Sequence, residues 1–234
     1  VTTSVTHADV GEFFLNKGIH CMMEKPLACT EEECQRLISA AAKNNVVLLV
    51  GHIERFNPAV EQMGKLLSDT SKIRSLTAQR MSAASGRITD VDVSMDLMIH
   101  DVEVIQSLVK SPVVNIQAAS VKTKESPMGK DYITALLEFE NGATANITAS
   151  RITQARVRTL TVTTDTNYID MDFINQSINV HSQGRMPYVN PENIPEWMNY
   201  GLKGSVEQLF IPTNQPLSAE LNHFLSCVRG EATP

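Results

Sequence analysis

The chain has 234 residues, with 20 Lys and Arg against 26 Asp and Glu, a formal charge of −6, and 42% hydrophobic content. This describes an ordinary globular chain and argues against nucleic-acid or anionic-membrane partners, which need clustered basic residues; no apolar run approaches the roughly 20 residues of a bilayer span. The four cysteines (Cys21, Cys29, Cys34, Cys227) form no CxxC pair, so neither a zinc site nor a disulfide framework is expected. With no signal-like n-region or h-region in "VTTSVTHADV", a cytoplasmic location follows.

Residues 8 to 17, "ADVGEFFLNK", predict a short helix stopped by Gly18. "IHCMM" at 19 to 23 reads as a buried strand bounded by Gly18 and Pro26. Thr30 and Glu33 form a T-x-x-E capping box, and Cys34, Leu37, Ile38 and Ala41 follow at the spacing of one buried helix face. "VVLLV" at 46 to 50 is a second fully apolar strand. Helix, strand, helix, strand with continuous apolar strands predicts a parallel α/β sheet.

After Gly51 the pattern changes. Pro58 opens a helix running to about residue 68; a strand is expected over 73 to 82 and a longer helix over 93 to 110. From 113 the chain turns β-rich, with a hairpin signal at Asn141-Gly142. Further strands in "RVRTLTVTTDTNYIDMDF" and "SINVHS" complete a largely antiparallel sheet of at least five strands. Residues 184 to 216, rich in Pro, Gly and Asn, read as a surface excursion. A last helix, about 218 to 229, places Leu221, Phe224, Leu225 and Val228 on one face.

Three stretches could carry chemistry. "GIHCMMEKPLACTEEE" sets Glu24, Lys25 and Pro26 between a strand and a helix start, and Pro26 biases Lys25 towards extended backbone. In "VDVSMDLMIHDVEVIQSLV", residues 91 to 109, Asp96, His100, Glu103 and Ser107 share one helical stripe, opposite Met95, Met98, Val102, Ile105 and Val109. A carboxylate one turn before a histidine can orient a catalytic imidazole; the same spacing fits a solvated face of an amphipathic helix. In "VGHIERFNPAV", His52 reads as structural and Arg55 as a capping or pairing residue.

Together these stretches resemble the Gfo/Idh/MocA oxidoreductases. "EKPLA" at 24 to 28 is similar to the family's E-K-P segment, and "GHIERFNP" at 51 to 58 to its G-x-x-x-R-F-x-P segment. "DLMIHDVE" at 96 to 103 resembles its D-x-x-x-H-x-x-D helix, with Glu103 where Asp is usual, and "TTSVTH" at 2 to 7 resembles the loop after its fourth Rossmann strand.

The resemblance implies two parts: residues 1–52 as the C-terminal part of a Rossmann domain that binds NAD or NADP, and 53–234 as an α+β domain with a large, mostly antiparallel open sheet. The second part would bind substrate and build a homodimer or homotetramer through that sheet, with the last helix packing back on the Rossmann part. Thr3, His7, Glu24 and Lys25 fall at the cofactor; Arg87, Asp96 and His100 at the substrate; Lys25, His100 and Asp96 at the chemistry. No metal is expected.

The implied reaction is hydride transfer between the nicotinamide and a carbinol of a sugar, nucleotide sugar or polyol. His100 suits the base by intrinsic pKa, with Lys25 the other candidate. Lys25 would also stabilise the alkoxide, and Asp96 would bond a substrate hydroxyl or position the imidazole. "GRITDVDVSMDLMIHD" resembles members that oxidise C3 of UDP-N-acetylglucosamine-like sugars; Arg80, Arg87, Arg151 and Arg156 are candidates for a diphosphate. The alternative is a non-catalytic oligomerisation or regulatory module of the same fold.

None of the 11 glycines forms a G-x-G-x-x-G loop, which a dinucleotide-binding chain carries near its start. About 60 to 80 upstream residues are expected to hold it, and the chain alone is expected to bind NAD(P) poorly and to be inactive.

Overall fold

The computed structural model describes residues 3–83, 91–123, 129–182, 205–212 and 214–234. The first elements are α1 (His7–Leu15), β1 (Cys21–Glu24), α2 (Glu31–Asn44) and β2 (Leu48–Gly51). β1 and β2 pair in parallel, Cys21 opposite Leu48 and Glu24 opposite Gly51. Both strands lie slightly later in the sequence than the apolar runs that announce them. Thr30 caps α2 as expected: its Oγ1 accepts from the Glu33 amide at 3.2 Å, and Glu33 Oε2 accepts from the Thr30 amide at 3.2 Å.

The buried face of α2 is Leu37, Ala40 and Ala41, whereas Ile38, expected inside, is 48% exposed. The reason is close contact with α1 and β1. A Cβ on Gly11 would lie 2.6 Å from the Met23 sulfur and 2.8 Å from Leu37, so the helix interface runs along the Leu37 stripe. Ala8, Leu15, Ala28, Leu37, Ala40 and Ala41 form a small core of their own.

A short 3₁₀ turn, Ile53–Phe56, leads to α3 (Pro58–Leu66), with Pro58 in the first turn and Asn57 Oδ1 accepting from the Ala59 amide at 3.0 Å. Then come β3 (Ile73–Ala83), a π-helical turn (Ser94–Met98) continuing into α4 (Ile99–Val109), β4 (Val113–Val121), β5 (Tyr132–Phe139) and β6 (Thr144–Ser150). β7 (Ile152–Thr164), β8 (Asn167–Asp172), β9 (Ser177–Ser182), β10 (Ser205–Leu209) and α5 (Pro216–Val228) complete the chain.

The last eight strands make one sheet in the order β10-β9-β8-β7-β3-β6-β5-β4, antiparallel except where β3 runs parallel to β6. Sequence reading expected the sheet to begin after residue 113; β3 instead enters it between β6 and β7. β10 pairs with β9 inside the stretch expected as a surface excursion. The β5–β6 hairpin turns at Asn141-Gly142 as predicted, with Gly142 at φ 84°.

One face of the sheet packs on α3 and α4 in a core that includes Met63, Leu76, Ile105, Leu108, Ile147, Leu160 and Ile178. The opposite face presents a band of Thr134, Thr148, Gln79 and Thr159, and beside it Leu136, Asn146, Thr77 and Thr161. On α5 the expected Leu221 and Leu225 are 45% and 46% exposed, while Glu220 and Cys227 are buried. That helix is turned so that His223 meets Phe56 of the 3₁₀ turn, ring centroids 5.3 Å apart. Among the described residues no helix is long and apolar enough to cross a membrane.

Candidate active site

Lys25 leaves the carboxyl end of β1, the end at which open parallel sheets bind ligands. Its Nζ donates to the Asp96 carbonyl at 2.6 Å and lies 3.4 Å from Asp96 Oδ1; both side chains are mostly buried. The E-K-P segment and the D-x-x-x-H helix, 71 residues apart, therefore meet.

Asp96 sits in the π-helical turn, a feature common at functional sites. Asp92 anchors that turn: its Oδ1 accepts from the amides of Ser94 at 3.0 Å and Met95 at 3.3 Å, and from the Ser94 hydroxyl. The Lys25–Pro26 peptide is cis. His7 is buried and its Nδ1–H donates to the Pro26 carbonyl at 2.8 Å, which ties α1 to the lysine loop. Thr3, at the start of the 3₁₀ turn before α1, uses its carbonyl to accept from Thr6 N and Oγ1 at 2.9 and 2.8 Å.

His100 lies one turn after Asp96, and its Nδ1 is buried without a partner. Burial, followed by the positive charges of Arg80, Lys25, His52 and Arg158, pushes its pKa down to about 2. The ring is therefore neutral at physiological pH. The stripe of Asp96, His100 and Glu103 is not a solvated face: the Asp96 and Glu103 side chains are only 14% and 10% exposed. The buried side carries Met98, Val104, Ile105, Leu108 and Val109, whereas Met95 and Val102, expected inside, are only partly covered. The π-helical turn shifts the phase ahead of His100.

Beneath the histidine lies an ion pair that sequence reading missed. Arg80, on the helix-facing side of β3, donates from Nε to both Asp101 oxygens at 3.1 and 3.0 Å and from Nη2 to Oδ1 at 2.8 Å. Its Nη1 donates to Glu54 at 2.8 Å, and its guanidinium carbon lies 5.0 Å from the Phe173 ring centroid. Arg80 is 2% exposed and Asp101 1%. Burial pulls the guanidinium pKa down, but Asp101 and Glu54 hold it above its ordinary value.

Of the arginines proposed for a diphosphate, Arg80 is committed to this cluster, Arg151 pairs with Asp131 at 2.9 Å, and Arg156 is exposed on β7. Arg87 lies outside the described residues.

Glu24 pairs across to Gly51, where an added Cβ would fall 3.3 Å from the Met23 carbonyl and 3.5 Å from Glu24 Cα. A side chain there would press on the facing β1 backbone. Glu220 of α5 is 1% exposed with Oε1 unbonded, and burial together with Glu24 pushes its pKa up to about 7. His52, next after Gly51, has a buried, unbonded Nδ1, and its pKa is lowered by burial. Arg55 reaches Glu103 with Nε at 2.7 Å and also with Nη2.

The Lys25 ammonium and the Asp96 carboxylate thus meet at the carboxyl end of β1, with the neutral His100 imidazole one helical turn beyond Asp96; groups of this kind can bind and polarise a hydroxyl. Among the described residues no group of His, Cys, Asp and Glu is arranged to hold a metal ion. The donor set fits the nicotinamide and substrate end of a dinucleotide site; the sequence contains no Gly-rich loop for a pyrophosphate.

The model of an oxidoreductase family with an NAD-binding Rossmann fold matches residues 1–52, and that of the GFO/IDH/MocA C-terminal domain matches 72–169. UDP-N-acetylglucosamine 3-dehydrogenase of Acidithiobacillus ferrooxidans is 30% identical over 229 residues, covering 97% of this chain and 68% of that protein. A solved structure of that enzyme superposes with a TM-score of 0.85 at 28% identity, over 99% of this chain and 69% of its own. D-apiose dehydrogenase of Paraburkholderia graminis is 25% identical over 162 residues, and the chain spans 42% of its length. Aldose-aldose oxidoreductase of Caulobacter crescentus, at 21% identity, shares the fold with a TM-score of 0.81 over 100% of this chain and 69% of its own.

Proposed function

Because the chain belongs to the Gfo/Idh/MocA family of NAD-binding oxidoreductases, we propose that it is the substrate-side and nicotinamide-side part of an NAD(P)-dependent dehydrogenase acting on a sugar or nucleotide-sugar hydroxyl. The observation that carries this reading is the Lys25–Asp96 contact beside His100; a non-catalytic module has no need of it. The chain divides near residue 52 into a cofactor-side part and a substrate-binding, assembly-forming part, and works in the cytoplasm.

A bound nicotinamide supplies the hydride acceptor, held by Lys25, Glu24, Thr3 and the loop that His7 fixes. The chain's own residues handle the hydroxyl. With Nδ1 buried and unbonded, we assign neutral His100 the tautomer that carries its proton on Nε2, the nitrogen left for a ligand. In that form it donates to the reacting oxygen rather than taking its proton. Sequence reading favoured His100 as base; the unbonded Nδ1 and the surrounding positive charge support Lys25 in that role instead. The Lys25 ammonium, held by Asp96, gives a proton to the reacting oxygen as a carbonyl is reduced and, as the free amine, takes the hydroxyl proton in the oxidation direction, while His100 orients that oxygen and stabilises it as charge develops.

The substrate reading is a UDP-N-acetylhexosamine, supported by the 30% identical relative that spans nearly the whole chain. Assembly as a homodimer or homotetramer is proposed through the open face of the large sheet. On β5, β6, β3 and β7 its rows are Thr134, Thr148, Gln79 and Thr159, and Leu136, Asn146, Thr77 and Thr161, an uncharged strip bounded on β8 by Asp172 and Asp170.

The test is turnover of UDP-N-acetylglucosamine and of free polyols by the full-length protein, followed by NAD(P)H absorbance. Turnover of neither class would overturn the reading.

A further inference from the structure

The strand ends that position Lys25 also position a residue the mechanism above leaves unused. Glu24 is paired with Gly51, so Lys25 and His52 are the next residues out of two adjacent parallel strands and emerge side by side. Two ties then join these strand ends to the helix. Lys25 bonds Asp96, and Arg55, three residues after His52, bonds Glu103, three residues after His100. His52 and His100 lie between those ties.

In both rings Nδ1 is buried and unbonded. Neither imidazole makes a side-chain hydrogen bond among the described residues, so Nε2 is the nitrogen each can offer to a ligand. Two neutral imidazoles on adjoining elements, each with one free N–H, match two oxygens on neighbouring carbons.

We propose that His52 is a substrate-binding residue that donates from Nε2 to an oxygen on the carbon next to the reacting one, while His100 engages the reacting oxygen itself. This deepens and rests on the dehydrogenase reading, and it narrows the substrate class to rings with oxygen on adjacent carbons. A carbinol flanked only by CH₂ groups would leave the His52 N–H desolvated and unpaired, which a site built for hydrogen bonding rejects strongly.

The experiment compares UDP-N-acetylglucosamine with its 4-deoxy analogue in the full-length protein, as wild type, His52→Ala and His52→Gln. Gln places an amide N–H near the position of the imidazole Nε2–H. The wild type is expected to lose about 10- to 100-fold in kcat/KM on the 4-deoxy sugar, the cost of one buried donor left unpaired. His52→Ala should lose a similar factor on the parent sugar and discriminate the two sugars less than about threefold, and His52→Gln should recover most of the loss. If the losses from His52→Ala and from deoxygenation multiply independently, or if Gln rescues nothing while the variant folds, the His52 assignment is wrong and the dehydrogenase reading stands. If the wild type turns over neither sugar, the dehydrogenase reading of this substrate fails and the inference fails with it.

Discussion

The Lys25 ammonium reaches the Asp96 backbone carbonyl at 2.6 Å and its carboxylate at 3.4 Å, bridging a strand end to the turn before α4. Replacing Lys25 with Met keeps the length and apolar stem but removes the proton-exchanging nitrogen. Turnover by the full-length protein, measured on folded variant, is expected to fall at least about 100-fold. A loss under about fivefold would remove Lys25 from the chemistry.

His100 is neutral at any pH above its depressed value of about 2. Its titration therefore contributes nothing to a rate profile between about pH 5 and 9, a range set by ordinary side-chain pKa values. His100→Gln keeps a donor at the same place and should retain the acid limb of kcat/KM, with about a tenfold lower plateau. Disappearance of that limb in His100→Gln would return the base role to His100.

Arg80 has its strongest partner in Asp101, and both are sealed from solvent. Asp101→Leu leaves the guanidinium with Glu54 alone and should cost about 3–5 kcal/mol, read from the urea midpoint. Arg80→Met combined with Asp101→Leu removes the stranded charge and should recover part of that loss. A single-variant cost below about 1 kcal/mol would mean that water reaches the pair.

Glu220 binds its proton more tightly in the folded chain, with its pKa raised from the ordinary 4.5 to about 7. Below pH 4.5 both states are protonated and there is no penalty. As pH rises towards 7 the unfolded chain ionises first, so stability falls. Glu220→Gln should match the wild-type thermal midpoint at pH 4 and exceed it increasingly up to pH 7. Parallel melting curves across that range would show that Glu220 ionises freely.

The meeting of Lys25 with Asp96 was foreshadowed only by the family resemblance of two short motifs, a strand end before Pro26 and a one-turn interval on a helix, since the spacing alone fitted a solvated face equally. The pairing of Arg80 with Asp101 was not foreshadowed. Arg80 alternates with apolar residues on β3, and nothing local tells a strand arginine aimed at the core from one aimed at water. Asp101 stands beside His100 with the look of a surface acid; its burial depends on which strand lies beneath the helix.

The same holds for β3, whose partners are chosen by the whole sheet, and for β10, which is short and polar. His52 was read only as structural and nothing in the sequence singles out Glu220, because an unpaired buried atom is a property of the surroundings. The helical faces of α2 and α5 were misjudged by a fraction of a turn, since tight packing at Gly11 and the contact of His223 with Phe56 set the rotation.

The placement of β3 between β6 and β7 also bears on biosynthesis. Its two neighbours span residues 144–150 and 152–164, so the strand carrying Arg80 waits unpaired while the chain up to Ser150 leaves the ribosome. Until then α4 lacks the floor on which it rests. Nascent chains arrested before that point should display protease-sensitive Ile73–Ala83 and depend on holdase chaperones, because such distant pairings form late.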